Sequence, residues 1–251
     1  MPAEDCSFKP CLVVPIYNHI KEFRLVAPRL RALGLPVLII DDGSELSQWH
    51  ELQNLLSEEP WAILVRSEHN QGKGTAVCNG FVEAAQRGFS HALQIDADGQ
   101  HELEDVKHFI AQSQQYPESI ITAVRIYKNA PKSRMYGRKV TDIWVWIHTL
   151  SKHIQDSMCG FRLYPLKPTL QLIECEQVRK GMDFDTDILV RLYWRGVDIR
   201  QIETLVTYDA NITSHFDVLR DNLRISLMHT RLFFGMLIRF PKLLKIRKNY
   251  A

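Results

Sequence analysis

Short apolar runs alternate with longer amphipathic stretches over the first half of the chain. The runs begin at residues 11, 37, 62, 92 and 120, and each is four to seven residues long. Runs of this length that are separated by helical stretches are typical of buried parallel strands in β-α units. Because crossovers between parallel strands are right-handed, the pattern predicts an α/β fold with a single wound, mostly parallel sheet flanked by helices.

The alternation weakens after Arg125. The pattern there predicts helices over 133–153, from Pro168, over 185–195 and over 216–238, with strands at 160–164 and 197–206. The last helix is expected to stop at Pro241, because proline lacks the N–H that an interior helical bond needs. We find no repeat or linker, and we predict one domain over 1–214 followed by a basic amphipathic segment over 215–251.

The composition is that of a globular protein and limits the classes of partner. The 251 residues are 45% hydrophobic and 24% charged, with a net charge of +2 from 31 basic and 29 acidic side chains. This balance argues against nucleic acid as a partner, and no apolar run approaches the roughly 18–20 residues that span a bilayer. The acidic N-terminus and the five cysteines, which lack metal-ligand spacing, predict a cytoplasmic protein.

The net charge conceals an uneven distribution along the chain. Residues 220–251 contain eight basic residues and one acid, whereas the remainder contains 23 basic and 28 acidic residues. Aromatic and aliphatic residues alternate with Lys and Arg over 231–248, which is typical of a helix that lies on anionic lipid. A helix that packs on the core and has a solvated basic end is the alternative, and the sequence leaves both open.

Carboxylates follow two of the predicted strands. Asp41 and Asp42 come directly after the second apolar run, and Asp96 and Asp98 come directly after the fourth. Ligands of open α/β sheets bind outside the carboxyl ends of the strands, although Asp-Gly pairs are also common turn formers. Asp96 and Asp98 alternate along an extended segment, so with Gln100 they can present hard oxygen ligands to a Mg²⁺ or Mn²⁺ that binds a diphosphate.

A glycine-rich segment at 70–75 opens the helix after the third run. Glycines allow close backbone approach, and a helix N-terminus together with Lys73 favours an anion. The segment is not a P-loop, because Ser67 stands where the first glycine is required, and no dinucleotide-binding glycine motif follows the first run. Phosphoryl transfer from a nucleoside triphosphate and NAD binding therefore lose support.

Six segments together resemble the family 2 glycosyltransferases, and in particular their polyprenyl-phosphate mannosyl- and glucosyltransferase branch. In chain order these segments are Val13–Asn18, Asp41–Ser44, Asn70–Gly74, Asp96–Gln100, Cys159–Arg162 and Phe184–Asp187. The resemblance covers residues 11–190. It implies a GT-A fold and an inverting transfer of a sugar from a nucleoside diphosphate.

The resemblance also implies roles for individual residues. The donor would be bound by Pro15, Tyr17, Asn18, Asp41, Asp42, Lys73 and Asp96, and the metal by Asp98 and Gln100, with His215 as a further candidate. Arg125 and Arg138 are also assigned to donor binding. They lie in the segment that contacts phosphates of the donor or the acceptor in the lipid-phosphate branch, and a guanidinium suits bidentate phosphate binding. For Arg138, a solvated helix charge is the alternative.

The acceptor decides whether the reaction needs a general base. A hydroxyl acceptor needs one within hydrogen-bond reach, for which Asp185 or Asp187 are the candidates by position, with Asp156 as a second acceptor-side carboxylate. A phosphate acceptor is already anionic and needs none. Asp185 and Asp187 do not share a helix face, and an acid at a helix N-terminus is also favoured by the helix dipole alone.

These observations predict an inverting, Mg²⁺- or Mn²⁺-dependent glycosyltransferase that acts on a lipid-linked acceptor, with polyprenyl phosphate as one candidate. It would use a nucleoside-diphosphate sugar and associate peripherally with the cytoplasmic face of a membrane. A nucleotidyltransferase is the alternative enzyme, but Pro15–Asn18 replaces the glycine-rich loop that it would need. A non-catalytic nucleotide-sugar-binding scaffold is the other alternative, against which the intact Asp96, Asp98 and Gln100 argue.

Overall fold

Seven strands form one sheet in the computed structural model, which describes residues 7–57, 61–127, 132–206 and 218–250. The strands are β1 (Pro10–Ile16), β2 (Val37–Asp41), β3 (Ala62–Arg66), β4 (His91–Gln94), β5 (Ile120–Tyr127), β6 (Arg162–Pro165) and β7 (Ile199–Val206). The helices are α1 (Ile20–Ala32), α2 (Leu46–Ser57), α3 (Lys73–Gln86), α4 (Val106–Gln115), α5 (Lys132–Thr149), α6 (Leu166–Cys175), α7 (Phe184–Arg195) and α8 (Val218–Arg247).

The strand order is β3-β2-β1-β4-β6-β5-β7. β6 runs antiparallel to both of its neighbours, and the other pairs are parallel. The predicted wound, mostly parallel sheet is therefore confirmed. β1 lies between β2 and β4, so the strand order reverses there and a crevice forms outside the carboxyl ends of these strands.

Helices cover both faces of the sheet, which explains why the strands are continuous apolar runs. Val13 of β1 packs into one core layer with Phe81 of α3, and Leu12 packs into the opposite layer with Phe109 of α4. Gly80 lets α3 approach the sheet closely, because a β-carbon there would lie 3.1 Å from the side chain of Ile40. The close approach places the N-terminus of α3 at the crevice.

The final helix is longer than the sequence predicted. The expected stop at Pro241 is wrong, because α8 runs from Val218 to Arg247 with Pro241 inside it. An interior proline costs about 3 kcal/mol, but Leu243 beyond it is fully buried and Ile246 packs on the same core. Tertiary packing therefore carries the helix through the proline.

α8 packs against α5 and α7. In the described part of the chain, no helix is both long and apolar enough to cross a membrane. The predicted boundary after residue 214 lies outside the described residues, and the division into 1–214 and 215–251 stays a prediction.

Candidate active site

Asp42 shapes the loop that precedes α3. Its two carboxylate oxygens accept hydrogen bonds from the backbone N–H groups of Gln71, at 3.0 Å, and Gly72, at 2.8 Å. Burial raises the pKa of Asp42, and these two hydrogen bonds oppose that rise. Gly72 has a φ of 98°, and a β-carbon there would lie 2.5 Å from the carbonyl oxygen of Lys180. The loop that precedes α3 is thus fixed by the Asp42 carboxylate and by Gly72, where the carbonyl oxygen of Lys180 leaves no room for a side chain.

Asp41 and Asn18 connect the ends of β1 and β2. Asp41 is fully buried, and its Oδ1 accepts a hydrogen bond from the backbone of Ser44 at 3.3 Å. Asn18 has a φ of 53°, and its Oδ1 accepts a hydrogen bond from the backbone of Glu45 at 2.9 Å. The Ser44 hydroxyl in turn accepts from the Asn18 backbone. The half-buried Pro15 and Tyr17 lie where these loops leave the sheet.

Lys73 lies between two carboxylates at the N-terminus of α3. Its Nζ is 2.8 Å from Asp96 Oδ1 and 3.0 Å from Asp185 Oδ2. Burial alone would lower the pKa of Lys73, but Asp185 and Asp96 raise it well above its ordinary value. Lys73 likewise holds the pKa of Asp96 well below its ordinary value despite burial. The positive charge of Lys73, which the sequence predicted to bind an anion, is thus largely balanced by two carboxylates of the protein itself.

Gln94, Gly160 and Arg162 complete this cluster, and the sequence assigned none of them a role. Gln94 donates through Nε2 to Asp185 Oδ1 at 3.0 Å. A β-carbon on Gly160 would lie 2.9 Å from both Asp96 Oδ2 and Lys73 Nζ, so a larger residue there would displace the side chains of the cluster. The buried Arg162 guanidinium donates to the carbonyl oxygens of residues 157, 159 and 185, which fixes the loop that carries Gly160. Gly160 and Arg162 belong to the Cys159–Arg162 segment of the family resemblance, which was the available signal for both.

Asp98 lies in a tight turn beside this cluster. Its Oδ1 accepts a hydrogen bond from the Gln100 backbone at 3.0 Å. Burial, and then the negative charge of Asp96, raise the pKa of Asp98. His101 is buried, stacks on Phe161 with ring centroids 4.9 Å apart, and has Nε2 3.8 Å from Asp96 Oδ2. Within the described residues, no three His, Cys, Asp or Glu side chains group in a way that could hold a metal ion; His215 lies outside them.

Two arginines meet at a buried carboxylate on the other side of the site. Asp156 accepts from Arg125 Nε at 2.8 Å and Nη2 at 2.9 Å, and Arg138 Nη2 lies 3.0 Å away. Arg138 also donates to the Arg125 carbonyl at 3.3 Å. Both guanidiniums lie near the ring of Tyr127. Arg138 is therefore part of a paired cluster and not a solvated helix charge.

A second carboxylate, Asp142, lies one turn after Arg138 on α5. It is buried, and its Oδ1 has no hydrogen-bond partner. Burial and the nearby charge of Asp156 raise the pKa of Asp142 to about 6. The sequence analysis did not single out Asp142. Its spacing of four residues from Arg138 was the signal that could have found it.

Asp185 and Asp187 have separate partners, as their spacing predicted. Asp187 accepts from the Arg179 backbone at 2.9 Å and from Arg191 Nε at 2.9 Å, and it is almost fully buried. Asp185 alone belongs to the Lys73 cluster. The site therefore contains two groups of predicted residues, which are Lys73, Asp96 and Asp185 in one, and Arg125, Arg138 and Asp156 in the other. We propose below that the first group lies on the donor side and the second on the acceptor side.

The buried cysteines do not provide a nucleophile. Burial raises the pKa values of the Cys11, Cys78 and Cys159 thiols to about 12. Since the thiolate is the reactive form, these three side chains act as small apolar groups.

Comparison with known proteins shows the family of the chain. The family model described as Glycosyl transferase family 2 matches residues 11–173. The chain is 26% identical over 204 residues to the undecaprenyl-phosphate mannosyltransferase of Micrococcus luteus, covering 78% of this chain and 82% of that protein. It is 24% identical over 205 residues to the polyprenol monophosphomannose synthase of Mycolicibacterium smegmatis, covering 78% and 76%.

A solved structure shows the same fold. The glucosyl-3-phosphoglycerate synthase of Mycobacterium tuberculosis, in complex with Mn²⁺ and uridine-diphosphate-glucose, has a TM-score of 0.66 and 14% identity to this chain. The similarity covers 93% of this chain and 79% of that one. At this identity, the likeness shows the fold alone.

Proposed function

Because the chain belongs to glycosyl transferase family 2, we propose that it transfers a sugar from a nucleoside-diphosphate sugar to the phosphate of a lipid-linked acceptor. The family and the relatives named as polyprenyl-phosphate sugar transferases support sugar transfer. The proposal of a phosphate acceptor rests on the hydrogen bonds of the three carboxylates that could act as a general base. None of Asp156, Asp185 and Asp187 has a free carboxylate.

Each of these carboxylates is engaged by a cation. Asp185 is bound by Lys73 and Gln94, Asp187 by Arg191, and Asp156 by two guanidiniums. A general base must accept a proton, and a neighbouring cation disfavours the protonated form of a carboxylate. An acceptor phosphate carries its negative charge before the reaction and needs no base. The arrangement thus suits a phosphate better than a hydroxyl acceptor.

The arginine pair is the proposed binding site for that phosphate. A guanidinium has five N–H donors, and the hydrogen bonds from Arg125 to Asp156 use only its Nε, Nη2 and backbone N–H. Donors therefore remain for a second anion. Asp156 holds Arg125 and Arg138 side by side before the substrate arrives, which lowers the ordering cost of binding.

The reaction would be an in-line displacement at the anomeric carbon. An acceptor phosphate oxygen forms the new bond, the bond to the donor diphosphate breaks, and its electron pair leaves with the nucleoside diphosphate. The configuration at the anomeric carbon inverts, and no proton has to be removed. Lys73 would hold Asp96 and Asp185 in place beside the donor, while the loop bound by Asp42 would position the donor.

A divalent cation fits the oxygen donors around Asp98. Mg²⁺ and Mn²⁺ take carboxylate and amide oxygens together with substrate phosphates, so Asp98, Gln100 and Asp96 would hold the ion. Burial, and then the negative charge of Asp96, raise the pKa of Asp98, and a bound cation would oppose that rise. When bound, the cation would supply charge neutralisation of the leaving diphosphate.

A transfer assay tests this function. Purified protein is incubated with labelled nucleoside-diphosphate sugars and polyprenyl phosphate in detergent, with Mg²⁺ or Mn²⁺ or with a chelator. We expect transfer that needs the cation, and a product whose anomeric configuration is opposite to that of the donor. Asp98→Ala should lower kcat by roughly 100-fold, whereas Glu104→Ala, at a highly exposed carboxylate, should not change it.

Two outcomes would contradict the proposal in different ways. Full activity of Asp98→Ala in chelator would exclude the metal assignment. Tight binding of a donor with no turnover on any lipid phosphate would instead support the scaffold alternative.

A further inference from the structure

The outer face of α8 carries exposed apolar side chains along its length. Leu223, Leu227, Phe234, Ile238 and Leu244 recur at helical spacing, and their exposed fractions range from 41% to 80%. Soluble monomers rarely expose a continuous apolar surface of this kind unless it binds something. This face therefore needs an occupant.

The opposite face of α8 already packs on the protein core. Met228, Leu232, Met236 and Leu243 are buried there. Gly235 brings the helix against Trp194, because a β-carbon at Gly235 would lie 2.8 Å from the indole ring. One face of α8 is therefore part of the core, as the core-packing interpretation of this segment predicted, and the opposite face is exposed.

α5 extends the exposed apolar surface towards the arginine pair. Val140, Ile143, Trp144 and Ile147 lie along its outer face, with exposed fractions between 37% and 57%. α5 packs against α8, and the ring of Trp144 stacks on His229 of α8 with centroids 5.9 Å apart. We call the outward apolar residues of both helices the α5/α8 apolar surface. The same helix, α5, carries Arg138 less than one turn before this surface begins.

The charges beside this surface favour an anionic partner. Arg231, Lys242, Lys245 and Lys248 are exposed along α8 and the turn that follows it. Asp221, the one acid of α8, is buried. Apolar and aromatic side chains flanked by Lys and Arg on an otherwise acid-free face are the composition of helices that lie in a bilayer interface.

We propose that the α5/α8 apolar surface lies in the interface of an anionic bilayer and thereby turns the Arg125–Arg138 pair towards lipid headgroups. This inference rests on the proposed function, because a lipid-linked phosphate acceptor is presented at a bilayer surface. The apolar side chains enter the acyl boundary, while the basic side chains of α8 contact anionic headgroups. The acceptor phosphate would then reach the arginines without the lipid leaving the bilayer.

Vesicle binding tests the surface separately from catalysis. The full-length protein is sedimented with phosphatidylcholine vesicles that contain or lack phosphatidylglycerol, at low and high salt. The test variant is the triple substitution Leu227→Gln, Phe234→Gln and Ile238→Gln, all on exposed side chains. The control is Leu25→Gln on α1, which is also highly exposed but lies outside the surface.

We expect the wild type and Leu25→Gln to bind vesicles with phosphatidylglycerol, and the triple variant to bind at least about tenfold more weakly. The triple variant should keep its thermal transition and its transfer to a short-chain, water-soluble polyprenyl phosphate, but lose transfer to vesicle-embedded acceptor. Equal vesicle binding by the triple variant and the wild type would overturn the proposal. A wild type that does not bind vesicles, but forms oligomers that dissociate in the triple variant, would also overturn the proposal.

Failure of the proposed function has a different signature. A wild type that binds anionic vesicles but transfers no sugar, even to the short-chain phosphate, would contradict the function and leave the bilayer surface supported.

Discussion

Buried carboxylates serve opposite purposes on the two sides of the site. On the donor side, Asp42 binds backbone N–H groups at Gln71 and Gly72 and so fixes the shape of a loop. On the acceptor side, Asp156 binds the side chains of Arg125 and Arg138 and so fixes the position of two cations. In the proposed function, the donor would thus be met by a preformed backbone, and the acceptor by preformed positive charge.

This difference separates what each carboxylate contributes to binding. A nucleotide presents flat rings and hydroxyl groups, which a rigid loop can match in shape. A lipid phosphate presents little besides charge, which a guanidinium pair can match bidentately. The contrast predicts that variants on the two sides affect different substrates.

Asp156→Ala should have the largest effect. Removing it leaves two partly buried guanidiniums without their counter-ion, and breaking such a pair costs about 3 kcal/mol of unfolding free energy. Chemical denaturation measures that loss. Steady-state kinetics should show a raised KM for the acceptor and a nearly unchanged KM for the donor, with Asp156→Asn intermediate. A rise confined to the donor KM would contradict the assignment of the two sides.

Asp42→Ala should have the next largest effect. It leaves the N–H groups of Gln71 and Gly72 without their acceptor, at a cost of about 1–3 kcal/mol for each group that stays buried. The loop before α3 should loosen, so the KM for the donor should rise and the KM for the acceptor should not. Calorimetric titration of the nucleoside diphosphate checks this directly. Unchanged donor affinity would remove Asp42 from the donor site.

The contact between α5 and α8 should become less stable in acid. At neutral pH this is the smallest of the predicted effects. His148 Nε2 and His229 Nδ1 lie 3.1 Å apart in a buried pair. Burial lowers their pKa values to about 3 and about 4. The unfolded chain therefore binds more protons than the folded one below the ordinary pKa of 6.5. Stability present above that pH should fall as the pH decreases towards 4.

The expected slope is roughly 1.4 kcal/mol per pH unit for each histidine. His229→Gln should reduce the slope of unfolding free energy against pH between 6 and 4.5, measured by urea denaturation. Asp142 titrates with the opposite sign, because its raised pKa keeps it protonated in the folded state. The difference between wild type and variant isolates the histidine. Identical slopes in the two proteins would contradict the role of the pair.

The features that depend on residues close together in the chain could be predicted from the sequence. The central strands are apolar on both faces because helices cover both sides of the sheet, so their runs were recognisable. Asp41, Asp42, Asp96 and Asp98 follow strands directly, and their position at one edge follows from the parallel arrangement.

The features that the sequence missed depend on distant contacts. The sequence named Asp156, Arg125 and Arg138 as candidates but not their pairing, because Asp156 lies 31 residues from Arg125 along the chain. Gln94 has no motif of its own, and its role comes from Asp185, 91 residues away. The local rule that proline ends a helix fails at Pro241, because the burial of Leu243 beyond it outweighs the cost of the interior proline. Local patterns cannot weigh such tertiary contributions against each other.

We propose that the acceptor is an anion and that none of Asp156, Asp185 and Asp187 acts as a base. The most direct measurement compares transfer from one labelled donor to polyprenyl phosphate and to the polyprenol of the same chain length, in the same detergent. We predict transfer to the phosphate that exceeds transfer to the alcohol by roughly 1,000-fold or more, the range that a missing general base implies. Comparable rates for both acceptors, with the alcohol reaction abolished in Asp185→Asn, would contradict it and identify Asp185 as the base.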